Sequence, residues 1–326
     1  MVGHTRRGGE VTPGSSRRSS SPLTGIAFKV ASVAIFVAMS SLIKAAGQLP
    51  AGQIVFFRSF FAMLPILVFL AWRGDLWTAF HTARPMSHVA RGVVGVTAMG
   101  LSFFALTRLP LPEAITLNYA QPLLVVVMGA IFLREIVRAF RWSAVAIGLI
   151  GVCIVSWPQL TLFRAGAVME HQQMLGVVAA LAGAAVSAGA MLLVRSLVHT
   201  EKTGTIVLWF SLTASVISLL TLPFGWAGLS VIQTALLVSA GISGGIAQLL
   251  MTEAYRHADV STVAPFEYTS MILAIAVGYL AFGDIPTVHM LVGGAIVVAA
   301  GLFIIWREHR LGLKRGAARK VTPPQG

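Results

Sequence analysis

Long apolar stretches separated by short polar ones run through almost the whole chain. Ten stand out, near 23–46, 51–72, 87–107, 112–132, 140–158, 174–197, 205–224, 231–253, 260–281 and 287–306. A helix rises 1.5 Å per residue, so about 20 residues cross a hydrocarbon core about 30 Å thick. Membrane strands need about ten residues and alternate apolar with polar positions, which these runs do not. The pattern predicts an all-α membrane protein with ten transmembrane helices and the lipid bilayer as its main partner. The first run is too long for a signal-peptide core and reads as a span. Residues 1–22, with Arg6, Arg7, Arg17 and Arg18 among Gly, Ser and Pro, read as a disordered basic tail. Residues 159–173 read as an extracytoplasmic linker, and 307–326 as a second basic tail.

Composition agrees with that reading. The chain is 56% hydrophobic and 11% charged, against about 25% charged in soluble domains. A single cysteine, Cys153, excludes an intrachain disulfide. The net charge of +13 is a matter of topology. With the N-terminus inside, nineteen lysines and arginines fall in inner segments, Arg91 among them. Only Lys44, Arg108 and Arg164 fall outside, while Lys29 and Arg58 lie within spans. This asymmetry predicts cytoplasmic termini. The basic residues are dispersed between spans and form no stacking face, so no nucleic-acid partner is expected.

The chain also repeats itself. At a shift of 149 residues, Ala105–Trp157 lies over Ala254–Trp306 without a gap. Identity is 8 of 53 positions, but hydropathy stays in phase and Tyr119 meets Tyr268, Gly129 Gly278, and Glu135 Asp284. "QIVFFRSFF" (53–61) and "TIVLWFSLT" (205–213) align at a shift of 152. Two five-helix halves result, 23–158 and 174–306. An odd number of spans gives the halves opposite topology. Inverted repeats point to a transporter with its site near the midplane.

The stretch "FFALTRLPLPEAITLNYAQPLLVVVMGAIFLREIVRAFRW" (103–142) resembles the first repeat of the EamA family, in the drug/metabolite transporter superfamily. "APFEYTSMILAIAVGYLAFGDIP" (264–286) resembles the second. The resemblance implies ten helices, cytoplasmic termini in the bacterial inner membrane, and movement of small organic solutes such as amino acids, amines, vitamins or drugs. It also implies a monomer or a homodimer. Asp284 stands where the family commonly carries Glu, a change expected to matter little.

Several residues bear on chemistry. Glu267 enters the ninth run, and a charge at mid-span costs about 2.5–3.5 kcal/mol. It reads as cavity-lining, as a substrate-amine or proton-coupling site, or as half of an ion pair with Arg256 or Lys29. Its mate at the 149 shift is Asn118. Gln121 and Ser270 follow at i+3 on the same faces, and Tyr268 adjoins. Ser187 and Gln248 are further candidates for solute contact. Arg58 reads as a ligand for a substrate carboxylate or, more readily, as a structural partner of Glu113 or Glu253. Glu113 suits the N-terminus of a helix.

"GISGG" (241–245) fits G-x-S-x-G formally, but a nucleophile needs a base within reach, and the next histidine is His257. No phosphate-binding loop or dinucleotide fingerprint occurs. Neither an enzyme nor a cofactor or metal is expected, and the partner is a small-molecule solute.

Overall fold

The computed structural model describes residues 22–82, 84–132, 139–157, 171–198, 201–257 and 264–320. The N-terminal tail, most of the linker and part of the basic loop at 134–141 lie outside them. The described elements are helical, with no strand among the described residues. They are α1 (Pro22–Ala45), α2 (Ala51–Trp72), the short α3 (Leu76–Ala79), α4 (Pro85–Leu106), α5 (Leu111–Asn118), α6 (Ala120–Phe132) and α7 (Ala139–Ser156). The second half holds α8 (His171–Val198), α9 (Thr203–Leu219), α10 (Val231–His257), α11 (Thr269–Phe282) and α12 (Val288–Lys320). Short 3-10 turns cover Leu222–Phe224 and Ala264–Tyr268.

Seven of the described helical stretches are long and apolar enough to cross a membrane, and three shorter apolar helices accompany them. The differences from the sequence-predicted runs have local causes. The fourth run divides into α5 and α6 at Tyr119. Pro122 has no N–H to offer the Asn118 carbonyl, and the Tyr119 N–H turns back to Thr116 instead (3.1 Å). The ninth run contains Pro265 and opens as the 3-10 turn before α11 begins. α12 continues to Lys320, into the stretch read as a tail, because "LGLKRGAARK" is rich in helix formers.

The strongest packing crosses between the halves. α1 runs along α10, α4 along α8, and α7 along α12, while α2 lies against both α9 and α10. Small residues permit this. A Cβ on Gly245 of α10 would come 2.6 Å from the Ala62 carbonyl of α2, and one on Gly151 of α7 would come 2.8 Å from the Gly293 carbonyl of α12. Backbones meet at these places, as helices in lipid commonly arrange. Outside, Val68, Leu280 and Ile285 stand exposed, and Trp72, Trp142, Trp157 and Trp306 lie exposed near the ends of apolar stretches. Such a surface suits acyl chains flanked by an aromatic belt.

Polar links tie the halves at both ends. At one end, α11 stops in a left-handed Gly283 (φ +68°) whose N–H bonds Tyr279, while the Asp284 N–H bonds Gly278 (2.9 Å). That cap aims the Asp284 carboxylate at Lys44 (2.7 Å) and at the Leu111 N–H (3.0 Å). Asp284 is therefore a link between halves, more than an incidental edge residue. Gln53 exchanges bonds with the Ala227 backbone (3.0 and 3.1 Å), and Gln233 donates to the Ala46 carbonyl (3.1 Å). At the other end Arg73 pairs with Glu253 (3.1 Å) and Lys202 with Asp75 (3.1 Å). The Lys202 hydrogen bond and charge hold the Asp75 carboxyl below its ordinary pKa.

Gly293→Val should strip α7 from α12 and cost about 1–3 kcal/mol. The purified variant should melt below wild type in detergent; an unchanged melting temperature contradicts the backbone contact.

Candidate functional site

The polar residues of the ninth run gather where the two halves meet. Lys29 lies seven residues into α1, about 10 Å along its axis. Its side chain is 1% exposed and its ammonium contacts the Glu267 carboxylate, whose side chain is 48% exposed. The enclosed member is thus the cation, and the acid opens outward from the contact. A buried ammonium deprived of its counter-charge is costly, so Glu267 is the natural answer to Lys29. Of the two partners weighed for Glu267, the structure brings Lys29 to it; the Arg256 side chain lies outside the described residues. Ser32, one turn beyond Lys29 and fully buried, donates to the Ala247 carbonyl of α10 (2.8 Å) and fixes α1 there.

The repeat mates meet directly. The Tyr119 and Tyr268 rings pack edge to face with centroids 5.1 Å apart. The Tyr119 hydroxyl bonds the Ser270 hydroxyl, and Ser270 also reaches the Glu267 carbonyl (2.7 Å). The Tyr268 hydroxyl rests against Gly301 of α12, in space that any Cβ there would occupy. Asn118 and Gln121 flank the break between α5 and α6, both half-buried. Ser187 on α8 and Gln248 on α10 are half-buried as well. The Gln248 carbonyl accepts from Thr252 (2.9 Å).

Arg58 behaves differently from its structural reading. It is 8% exposed and forms no ion pair with a described carboxylate. Glu253 pairs with Arg73, and Glu113 lies in the first turn of α5 near Lys44 and Asp284. The Arg58 Nε has no hydrogen-bond partner. Arg91, grouped with an inner loop by sequence, sits inside α4 with its guanidinium 4.3 Å from the Phe210 ring centroid. Its Nε and Nη1 are buried and unpartnered. One turn before it, buried His88 lies over Trp209 (5.7 Å) and 3.9 Å from Glu201. Hydropathy overlooked Arg91 because it falls near a helix start. The signal was present in its period, since 88, 91, 92 and 95 share one helical face.

The G-x-S-x-G residues serve packing. Gly241, Gly244 and Gly245 admit α2 and Met39 of α1. Ser243 and His257 stand 14 residues apart on α10, about 21 Å along one helix.

A bundle of apolar helices built from two repeated halves, with a charge pair joining them, is the architecture of a multi-pass membrane protein. The profile of the EamA-like transporter family matches residues 23–157 and 174–307. The chain belongs to that family, within the drug/metabolite transporter superfamily. It is 26% identical over 289 residues to the S-adenosylmethionine uptake transporter of Rickettsia felis, covering 88% of this chain and 94% of that protein. It is 31% identical over 289 residues to the riboflavin transporter of Rhizobium johnstonii, covering 88% and 90%. It is 29% identical over 283 residues to the pseudopaline exporter of Pseudomonas aeruginosa, covering 85% and 94%. A protein of known crystal structure shares the fold at a TM-score of 0.62, with 19% identity over 89% of this chain and 99% of its own.

A double-mutant cycle of Lys29→Met and Glu267→Gln should give a coupling energy of about 1 kcal/mol, moderated by the acid's exposure. Additive melting shifts contradict the pair. Gly301→Ala should displace Tyr268 and change the tyrosine environment in near-ultraviolet circular dichroism; a superimposable spectrum contradicts the contact.

Proposed function

We propose that this protein is a secondary transporter that carries a small organic metabolite across the bacterial inner membrane by alternating access. Its relatives are named for uptake and for export of small solutes. The reading takes ten spans in two inverted five-helix repeats, with both termini cytoplasmic. The charge asymmetry of the loops and the odd number of spans per repeat support that topology.

The observation that carries the proposal is the Lys29–Glu267 pair with its acid half-exposed. A carboxylate facing acyl chains would be expensive, whereas one facing a watery chamber is not. The chamber lies between the halves, walled by Glu267, Tyr268 and Ser270 from one repeat and by Asn118 and Gln121 from the other. Ser187 and Gln248 border it. Solute competes with Lys29 for the carboxylate, or a proton does, and the pair opens as the halves rock. The break at Tyr119 and the 3-10 turn before Thr269 bring irregular backbone to the wall of this chamber. Cross-links at both ends, Lys44–Asp284 and Arg73–Glu253, are the contacts that such rocking must exchange.

Proteoliposomes holding the purified protein should accumulate particular solutes from a defined metabolite mixture, and empty vesicles should not. Glu267→Gln should cut that flux at least tenfold while the protein stays monodisperse. Equal accumulation with and without protein sinks the transport reading, and flux of Glu267→Gln unchanged from pH 5 to pH 8 sinks the role of the acid.

A further inference from the structure

α2, α4 and α9 meet around a second polar cluster, separate from the Lys29–Glu267 pair. Among the described residues, the buried side-chain nitrogens and oxygens that lack a hydrogen-bond partner all come from these three helices. They belong to Arg58, Ser59, His88, Arg91 and Trp209. Five are nitrogens, and the three on the arginines are obligate donors. The cluster therefore has surplus hydrogen-bond donors and surplus positive charge.

Packing, and not ion pairing, holds the two guanidinium groups. Arg91 stacks on Phe210, and Phe210 in turn presses on Gly95, one turn further along α4. Arg58 lies against α10 where Gly244 has no side chain; a Cβ there would stand 3.4 Å from the Arg58 Nε. Neither arginine is paired with a described carboxylate. They lie on α2 and α4, which pack against each other and share α9 as a neighbour. Two guanidinium groups on contacting helices, with buried N–H groups and no acceptors for them, describe a receptor suited to an anion. A guanidinium presents planar, paired N–H groups that match a carboxylate or phosphate edge to edge.

We propose that Arg58 and Arg91 form an oxyanion-recognition site, and that the solute bound there carries a carboxylate or phosphate group. This deepens the transport reading and rests on it. Glu267 and Lys29 then meet other parts of the same solute. The arginines are specificity determinants: they select acids against their neutral analogues.

The test uses paired probes on the purified full chain in detergent. Nicotinate is compared with nicotinamide, indole-3-acetate with its amide, and phenyl phosphate with phenol. At saturating concentration an acid should raise the melting temperature about 2–4 °C above its neutral partner. Carboxylate-only or phosphate-only selectivity names the group. Arg58→Gln and Arg91→Gln should each erase the difference, and Arg73→Gln, which alters the far ion pair with Glu253, should retain it. If the glutamine variants do not fold, the acid-against-neutral contrast in wild type decides alone. Equal stabilisation by acids and neutral partners overturns the proposal. So does a contrast that survives both variants, or stabilisation by phosphatidylglycerol vesicles alone. Flux of neutral solutes without acid selectivity removes this site and spares the transporter. Acid-selective binding with no flux of any solute leaves the anion site standing and removes the transport reading.

Discussion

Hydrocarbon cannot solvate a charge, and the bundle is arranged around how that demand is met. Lys29 lies buried in the first helix, and Glu267, 238 residues later, supplies its counter-charge. The pair fixes α1 to the 3-10 turn ahead of α11, and so fixes one half of the chain to the other. Its asymmetry matters more than its strength. A closed pair of buried charges would be a structural pin. Here the acid keeps half its surface open, so the contact can be broken from the open side.

The repeat builds the surroundings of that pair with two unequal copies. Tyr119 and Tyr268, mates at the 149 shift, meet ring to ring across the interface. Tyr119 sits at the break between α5 and α6, and Tyr268 closes the 3-10 turn ahead of α11, with Pro122 and Pro265 close by in sequence. The preceding residues differ in charge: Asn118 from the first copy, Glu267 from the second. Pseudo-symmetry thus supplies matching geometry while only one copy supplies a charge. The arginine cluster breaks symmetry again. Phe210 occupies the position equivalent to Arg58, and it serves as the stacking platform for Arg91 instead.

Much of this was legible in the sequence, because lipid forces long apolar runs. α2 was predicted to its residue limits, and α1 within one residue at each end. Glu267 drew notice as a charge in an apolar run, and its mates followed from the repeat. What stayed hidden depends on contacts between distant segments. Sequence offered Glu267 two cationic partners, and only packing of α1 against the turn chose Lys29. Arg91 looked like a loop cation, because only α9 folding over α4 buries it. Asp284 looked peripheral until the Gly283 cap aimed it at Lys44 and Leu111. The helix break at Tyr119 and the 3-10 turn before Thr269 were weakly signalled by proline, whose effect depends on which carbonyl loses its donor.

Whether water reaches Glu267 tests the central claim most directly. In a Cys153→Ser background, Glu267→Cys should react with a charged, membrane-impermeant thiosulfonate applied to sealed vesicles, and excess transported solute should slow that reaction. Labelling by lipid-soluble maleimide alone, with the charged reagent excluded from both faces, would mean that the acid looks into the bilayer and that no such chamber exists.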